Sequence, residues 1–439
     1  MMRTMRLVLP TPTRLIGRSP SLNIRQLAID QRRRYHEVSF TSPGEPEDVL
    51  EYHKLARCAT DDADDPPHLK EHDTCWINVA MQHAPWNPAD VNTVQGTYAS
   101  PYQQRGQTVP VDLSLALRPS RFLPQHTVAG SEGWGRVQEV VHGSTIASDT
   151  SSNNINNEQR LQLGDWVALG QPGLGSLRSS VWLPANTVVP LKRGAELAGT
   201  VGPAAAAIFQ LGGTALGLLR EFVDLQPGDV VVQNAGNAGV AMAVSQLAAV
   251  LYVDVSVVSM VRRGNKTIDQ WDELVTYMTE TGKCSLVVAQ EDLVDNRVAV
   301  SALKDQLRLT LSDTSPRLAL NAVGGESSSV LLQLLGHGGT HVTYGGMSRK
   351  PVTVPTPELI FKDVRLEGYW HSVWMIQQSV TARQVMMNEL VDLVLDGQLH
   401  CSPVEVFPLV EILHGVECAA QQSSKAIRSK VVFDCQEPA

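Results

Sequence analysis

One stretch decides the fold of this chain: Leu225-Gln-Pro-Gly-Asp-Val-Val-Val-Gln-Asn-Ala-Gly-Asn-Ala-Gly-Val-Ala-Met-Ala243. It predicts a short buried strand over Val230–Val232, a loop of small residues over Asn234–Gly239 and an alanine-rich helix over Val240–Val250. In this arrangement the amino terminus of the helix points free N–H groups at a pyrophosphate, and small residues let the backbone approach it. The glycine spacing is Gly-x-x-Gly-x-Ala, ending at Ala241, so an ordinary strand–turn–helix connection remains open from this stretch alone.

Alternating helix and strand patterns continue from about Gly202 to about Trp374, which indicates a parallel α/β sheet. The predicted strands are Val230–Gln233, Val253–Val261, Ser285–Ala289, Leu318–Ala322 and Thr340–Tyr344. Glycine pairs follow two of these strands, in Asn321-Ala-Val-Gly-Gly325 and Thr343-Tyr-Gly-Gly-Met347. Because the carboxyl ends of parallel strands share one edge, we expect three glycine-bearing turns around one ligand.

The second strand of this nucleotide-binding pattern ends at Arg262-Arg263. In such folds an acid at this place hydrogen-bonds the 2′-hydroxyl of NAD, whereas arginine pairs with a 2′-phosphate. No acid stands there, so the sequence favours NADPH. The alternative is a pair of solvated arginines on a loop.

Bulk properties limit the class of protein. At 439 residues the chain is long enough for two domains, and we see no run that approaches the roughly 20 apolar residues of a membrane span. The six cysteines are scattered without a C-x-x-C pair, which argues for reduced thiols and against a disulfide framework or a cysteine zinc cluster.

The amino-terminal segment has a composition of its own. Residues 1–34 hold eight arginines and one acid, Asp30, so the segment carries +7 and the rest of the chain −16 of the net −9. An Arg-, Ser- and Thr-rich start that is poor in acids is typical of a mitochondrial transit peptide, with a basic tail or a nucleic-acid-binding arm as alternatives. The acidic remainder argues against nucleic acid as the main partner.

Non-Rossmann patterns flank the sheet on both sides. Cys75–Met81 predicts a strand, Asn87-Pro-Ala-Asp-Val-Asn92 a turn that opens a short helix, and Val128-Ala-Gly-Ser-Glu-Gly-Trp-Gly-Arg-Val137 three glycines around one acid. After Gln384 the pattern gives two helices and a final strand at Lys430–Phe433. This arrangement is explained if the segments before and after the parallel sheet fold together into one shared lobe.

These motifs together resemble the mitochondrial trans-2-enoyl-CoA reductases, which are zinc-free members of the medium-chain dehydrogenase/reductase superfamily. The resemblance covers about residues 75–435. It rests on Trp86-Asn-Pro-Ala-Asp-Val-Asn92, Gln95-Gly-Thr-Tyr98, Ala129-Gly-Ser-Glu-Gly133, Leu225-Gln-Pro-Gly-Asp229, Gln233-Asn-Ala-Gly-Asn-Ala-Gly-Val240, Ala319-Leu-Asn-Ala-Val-Gly-Gly325, Val342-Thr-Tyr-Gly-Gly-Met347, Ile360-Phe-Lys-Asp363 and Gly368-Tyr-Trp370.

The resemblance implies an α/β fold with a GroES-like, β-rich catalytic lobe and a Rossmann domain with a doubly wound parallel sheet. The expected domains are 1–39 (transit peptide or disordered), 40–204 (catalytic lobe), 205–374 (NADPH-binding) and 375–439 (return to the catalytic lobe). It also implies a mitochondrial matrix location and a role in fatty acid synthesis. A homodimer is common in such folds.

The implied reaction is NADPH-dependent reduction of a trans-2-enoyl thioester carried on CoA or acyl carrier protein. Hydride goes to the β-carbon and an acid protonates the α-carbon. The family tyrosine matches Tyr98, with Tyr102 as the local competitor, since a phenol can donate to the developing enolate.

The resemblance also implies cofactor contacts. They are Asn237, Ala238, Gly239 and Val240 at the pyrophosphate, Arg262 and Arg263 at the 2′-phosphate, Tyr344, Gly345, Gly346 and Met347 beside the nicotinamide, Tyr369, Trp370, His371 and Ser372 on the next strand, and Lys430. A solvated terminal lysine is the alternative for Lys430. The expected family asparagine is Leu211 here, a departure that is expected to weaken NADPH binding, as is Ala241.

Metal is not expected. The zinc branch of the superfamily uses a Gly-His-Glu turn, and serine replaces the histidine in Gly130-Ser-Glu132. His83, His126 and His142 have no ligand-like spacing and are interpreted as surface or core residues. Two alternatives to the enoyl reductase stay open: a zinc-free NADPH quinone oxidoreductase, and a nucleotide-bound, non-catalytic subunit of a mitochondrial assembly.

Overall fold

A computed structural model describes residues 34–56, 75–97, 125–141, 161–311, 315–422 and 425–436. The described strands form a six-stranded, a seven-stranded and a three-stranded sheet. The first 33 residues of the predicted transit peptide lie outside the described residues, as do Tyr98 and Tyr102.

The six-stranded sheet is the predicted parallel sheet. Its order is β11-β10-β9-β12-β13-β14, with neighbouring strands parallel throughout. The strands are β9 Val230–Gln233, β10 Ser256–Val261, β11 Leu286–Ala289, β12 Leu318–Asn321, β13 Thr340–Thr343 and β14 Arg365–Gly368. The five predicted strands are present, and the α/β Rossmann prediction is confirmed.

One prediction on this sheet is wrong. Tyr369–Ser372 was expected on a strand, but β14 ends at Gly368 and a helix begins at His371. Sequence reasoning missed β14 because it is an exposed edge strand, and its residues Arg-Leu-Glu-Gly lack the buried apolar run of the central strands.

The other two sheets form the β-rich lobe. Strands β2-β1-β4 pair antiparallel, and the larger sheet has the order β15-β16-β3-β5-β6-β8, with β7 paired to β3. The strands are β1 Arg34–Phe40, β2 Glu51–Ala56, β3 Trp76–Pro85, β4 Thr127–Val128, β5 Trp134–Val141, β6 Trp166–Leu169, β7 Ser180–Pro184, β8 Val188–Pro190, β15 Val404–Pro408 and β16 Lys430–Asp434. The carboxyl-terminal strands thus return to the lobe formed by the early strands.

The predicted leader segment, residues 1–39, overlaps β1. Residues 34–39 are folded because Tyr35, Val38 and Phe40 are buried and β1 pairs with β2 in register from Arg34 to Ser39.

Helices surround the sheets. They are α1 Pro46–Val49, α2 Pro88–Val94, α3 Gly194–Val201, α4 Ile208–Arg220, α5 Gly239–Leu251, α6 Ile268–Glu280, α7 Gln290–Leu293, α8 Arg297–Thr310, α9 Gly325–Leu334, α10 Thr356–Lys362, α11 His371–Gln377, α12 Val380–Leu395 and α13 Ile412–Gln421. One apolar core contains Val231 of the parallel sheet, Val432 of the β-rich lobe and Leu390 of α12. Since this core spans both lobes, the predicted domain boundaries stay a prediction.

One helical stretch qualifies the membrane prediction. Gly194–Arg220, 27 residues long, is apolar enough for a membrane span by length and composition, but 67% of its most apolar window is buried inside the protein. Its apolar side chains pack in the shared core, as those of a core helix do. The described cysteines Cys75, Cys284, Cys401, Cys418 and Cys435 are all free thiols.

We predict that Gly135→Ala destabilises the β-rich lobe. Gly135 lies on β5, where a Cβ would overlap the carbonyl oxygen of Ala80 on β3, and backbone cannot move aside without breaking the sheet. The free energy of unfolding should fall by about 2 kcal/mol or more. Denaturant unfolding measures it.

The matched control is Gly199→Ala on α3, where a Cβ meets no atom within 4 Å. This exposed helical position should gain about 0.5–1 kcal/mol from higher helix propensity. Equal effects of the two substitutions would contradict the packing argument.

Candidate active site

A buried amide network ties the glycine-bearing turns together. Asn234, after β9, donates from its side chain to Asn321 Oδ1 (2.8 Å) and accepts from the Ala322 backbone N–H (2.8 Å). Asn321, at the end of β12, donates to Thr343 Oγ1 on β13 (3.1 Å). Asn234 and Asn321 are fully buried. The three turns predicted to share one edge therefore form one hydrogen-bonded unit.

The predicted pyrophosphate loop has an open helix terminus. Helix α5 begins at Gly239, and its N-cap residue Ala238 makes no side-chain cap. The first-turn N–H groups are thus left for a ligand, and the helix dipole favours an anion there. Asn237, Ala238, Gly239 and Val240 are half-buried around this terminus.

The Leu211 departure lies at this loop. A Cβ placed on Gly239 would be 2.8 Å from Leu211 Cδ1, so the leucine side chain packs directly against the first residue of α5. Where the family has an amide, the phosphate loop here meets an apolar wall. Leu211 therefore contacts the predicted cofactor loop but provides no polar group that could bind a cofactor.

The turn after β13 holds Tyr344–Met347 against the turn after β12. Met347 N–H donates to the Ala322 carbonyl (3.0 Å), and Tyr344 N–H to the Asn321 carbonyl (2.9 Å). Gly345 permits this approach, since a Cβ there would be 3.0 Å from the Ala322 oxygen. Gly346 and Met347 are exposed, and the Tyr344 hydroxyl is buried without a hydrogen-bond partner among the described residues.

Tyr369 and His371 lie in a different environment. The Tyr369 hydroxyl and His371 Nδ1 are hydrogen-bonded (2.9 Å), both side chains are buried, and both contact glycines of α4. Burial lowers the pKa of His371 to about 3, so the ring is neutral. Trp370 and Ser372 beside them are half-buried. The predicted cofactor roles of these four residues stay a prediction.

A second buried polar cluster lies where the lobes meet. Glu132 accepts hydrogen bonds from the Gln210 backbone N–H (2.6 Å) and from the Asn87 side chain (2.8 Å). Asp90 accepts from Ser131 Oγ (2.6 Å) and from the Asn87 backbone N–H (2.8 Å). This cluster joins the start of α2, the glycine turn before β5 and α4.

Lys430, at the start of β16, is half-buried near Glu132 and Asp90, whose charges act on it. Burial lowers the pKa of its ammonium group to about 8, against the attraction of Glu132 and Asp90. Burial raises the pKa of Glu132 to about 7, and the bonds from Gln210 and Asn87 and the charge of Lys430 limit that rise. The pKa of Asp90 is also raised by burial. Perturbed carboxylates and a lysine in one buried cluster are typical of a functional site.

Sequence reasoning singled out Glu132 only as the acid of a glycine turn, and it did not identify Asn87, Asp90 or Gln210. The available signal was the capping box: Asn87 and Asp90 lie three residues apart at the start of a helix, as the structure has them. That spacing predicts a helix start but does not place Glu132 beside it.

Ser131 lies where the zinc branch of the superfamily is expected to have a histidine ligand, and here it forms a hydrogen bond. Ser131 donates its hydroxyl to Asp90. His83 is stacked on Trp134 with its pKa lowered by burial, and His142 lies outside the described residues. His126 does meet possible ligands, because its ring, His53 and Glu51 bring donor atoms within 4.8 Å of one another on the three-stranded sheet. Sequence spacing missed this group because Glu51 and His53 lie on β2, whereas His126 comes from a distant segment, directly before β4.

Comparisons with known proteins agree with this geometry. No family model matches the chain. Its relatives include mitochondrial enoyl-acyl-carrier-protein reductases from Xenopus tropicalis (32% identical over 78% of this chain and 83% of the relative) and Homo sapiens (31%, 90% and 88%). The reductase of this name from Caenorhabditis elegans is 35% identical over 72% of the chain and 75% of its own length. The chain belongs to the mitochondrial enoyl-acyl-carrier-protein reductase family.

Solved structures share the fold of this reductase family member. The Etr1p complex with NADP and crotonyl-CoA is 25% identical with a TM-score of 0.71, covering 91% of this chain and 99% of Etr1p. A mycobacterial quinone oxidoreductase reaches a TM-score of 0.62 at 19% identity, which shows a common fold alone. The predicted family and its GroES-like and Rossmann architecture are confirmed.

We predict that Glu132 makes the stability of this reductase depend on pH. An acid whose pKa is raised in the folded state destabilises the fold as the unfolded chain ionises, so stability is lost as the pH rises from about 4.5 to about 7. Relative to the wild type, Glu132→Gln should gain up to about 3 kcal/mol across that window. Chemical unfolding at several pH values measures the difference.

Glu139→Gln is the control, because Glu139 is an exposed carboxylate on β5. The free energy of unfolding of Glu139→Gln should change with pH in the same way as that of the wild type. If the free energy of unfolding of Glu132→Gln also changed with pH as that of the wild type does, Glu132 would ionise in the fold as it does in the unfolded chain.

Proposed function

We propose that this protein reduces the trans-2 double bond of enoyl thioesters, carried on CoA or acyl carrier protein, with NADPH as reductant. The observation that carries the proposal is the edge of the parallel sheet, where an uncapped helix terminus, two glycine turns and cationic side chains after β10 lie together. The relatives named above and the NADP and crotonyl-CoA complex of Etr1p support the same reaction.

The residues at this edge fit a phosphorylated dinucleotide. The open terminus of α5 suits the pyrophosphate, and small residues at Ala238 and Gly239 let it approach. The turn Tyr344–Met347, in which Gly346 and Met347 are exposed, suits the nicotinamide half. Leu211 leaves one amide contact unmade at the loop, so we expect binding to rely more on the helix terminus and the cations.

When bound, NADPH supplies a hydride to the β-carbon of the thioester. The electron pair of the double bond then moves to the α-carbon and thioester oxygen, and Tyr98 transfers its phenolic proton to the α-carbon. Tyr98 lies outside the described residues, two positions beyond Gly96 in the chain that follows α2. Because α2 starts in the buried cluster of Asn87 and Asp90, hydrogen bonds fix the start of this helix relative to Glu132.

The reaction belongs to fatty acid synthesis in mitochondria. The relatives are named as mitochondrial proteins, and the arginine-rich first 34 residues suit an import signal to the matrix. A free enoyl-CoA and an enoyl group on acyl carrier protein present the same reacting atoms, so the proposal covers both carriers.

We predict that Tyr98→Phe lowers turnover of a medium-chain trans-2-enoyl-CoA by roughly 10² or more, because the proton donor is lost. Loss of NADPH absorbance with purified protein measures it. Binding of NADPH, followed by its fluorescence, should be retained in the variant.

Tyr102→Phe is the matched control and should keep its turnover. A larger loss of turnover in Tyr102→Phe than in Tyr98→Phe would show that Tyr102, and not Tyr98, is the proton donor. A wild-type protein that binds NADPH but reduces no enoyl-CoA would overturn the proposal. Turnover of quinones would then indicate a quinone oxidoreductase. No turnover, together with isolation in a multi-protein assembly, would indicate a non-catalytic subunit.

We also propose a homodimer that joins two copies at β14. In the described part of the chain β14 pairs only with β13, which leaves its other edge open. Four exposed apolar side chains, Leu359, Ile360, Phe361 and Leu366, lie on α10 and β14, and we name them the edge patch. An open strand edge beside apolar surface favours pairing with a second copy.

We predict that Phe361→Asp in the edge patch converts the dimer to a monomer, because it buries a charge in an apolar contact. Sedimentation velocity measures the mass. Leu309→Asp, the same change at an exposed leucine on α8, should leave the dimer intact. A wild-type monomer would exclude the dimer.

A further inference from the structure

Three cationic side chains lie near the end of β10: Arg262, Lys266 and Arg428. Of these, the family resemblance implied a cofactor contact only for Arg262. Lys266 Nζ lies 3.4 Å from the carbonyl oxygens of both Arg262 and Arg263, so its chain folds back over the turn. Arg428 arrives from the carboxyl-terminal segment. Ala426 of that segment packs against an apolar cluster that includes Val261, the last residue of β10, so the segment carrying Arg428 lies near this end of the strand.

The cluster holds like charges together. The pKa of Lys266 is lowered by burial and by the charges of Arg428 and Arg262. The pKa of Arg428 is lowered by burial and by Arg262. Arg428 Nε is buried and has no hydrogen-bond partner among the described residues. Such an arrangement costs free energy, and an anion bound between the three cations would offset that cost.

The charge of Glu291 attracts Lys266, but the Glu291 carboxylate is held by the backbone of the turn. Glu291, on α7, accepts the backbone N–H groups of Arg263 and Gly264, each at 2.9 Å. Its carboxylate therefore holds the turn in place. Among the described residues, none of the three cationic side chains forms an ion pair with a carboxylate, so each can bind an anion.

Arg263 differs from the other three. Its guanidinium lies 3.2 Å from Asp292 and 5.0 Å from the centre of the Trp271 ring. An arginine that is already paired with a carboxylate and stacked on an indole has less to offer a phosphate. Adjacent residues of the sequence thus have different partners.

We propose that Arg262, Lys266 and Arg428 bind the 2′-phosphate of NADPH, and that Arg263 does not. The 2′-phosphate is the fitting anion because β10 neighbours β9, whose loop faces the pyrophosphate, and the adenosine ribose lies at this strand end. The inference rests on the proposed function in taking a dinucleotide as ligand. It makes the preference for NADPH depend on a segment that also carries Lys430 and the last strand of the β-rich lobe.

The probe is adenosine 2′,5′-bisphosphate, with adenosine 5′-monophosphate as the ligand that lacks the 2′-phosphate. Calorimetric titration of the full chain should show Arg428→Gln and Lys266→Gln each weakening the bisphosphate by about ten-fold or more. Their affinity for the monophosphate should not change. Arg428→Lys keeps the charge and should lose less than Arg428→Gln, with a thermal midpoint that checks folding.

Arg263→Gln is the matched control, because it removes the same charge from the neighbouring position. It should change the affinity for the bisphosphate by less than about three-fold. Equal losses in Arg263→Gln and Arg428→Gln, or unchanged selectivity in Arg428→Gln, would overturn the inference. The titration needs no thioester chemistry, so a protein that selects the bisphosphate through Arg428 yet reduces no enoyl-CoA would keep this inference and overturn only the proposed function.

Discussion

The side-chain amide of Asn234 is the interaction on which the cofactor edge depends. It is fully buried at the end of β9 and joins the turns after β9 and β12, while Asn321 extends the link to β13. Buried amides cost free energy unless their polar atoms are paired, so the three turns are stable only in this mutual arrangement. The open terminus of α5 and the glycine turns therefore keep their relative positions before any ligand binds.

A second constraint operates where the lobes meet. Glu132 and Asp90 are buried beside the half-buried Lys430, and hydrogen bonds from Asn87, Ser131 and Gln210 satisfy the two carboxylates. In the zinc branch of this superfamily a histidine occupies the place of Ser131. Here a hydroxyl bonded to a carboxylate fills that place, so the turn keeps a polar role that depends on hydrogen bonds. The burial of these charges shifts the pKa values of Glu132 and Lys430 toward neutrality.

Much of the fold could be predicted from the sequence. The central strands of the parallel sheet are short apolar runs bounded by turn residues, and their predicted bounds differ from the observed ones by three residues or fewer. An edge element was missed, because β14 is exposed on both faces and lacks a buried apolar run. Leu211 was recognised as a departure, but only the structure showed that its side chain packs against Gly239.

The sequence by itself determined the family, the order of the elements and the cofactor class, because these depend on local patterns and on motifs of adjacent residues. Tertiary structure alone decided which side chains share a site. Asn87, Glu132, Gln210 and Lys430 come from four distant segments, and the cluster of Arg262, Lys266 and Arg428 joins two. Arg262 and Arg263 are neighbours in sequence yet differ in their partners, because Asp292 and Trp271 reach only the second of them.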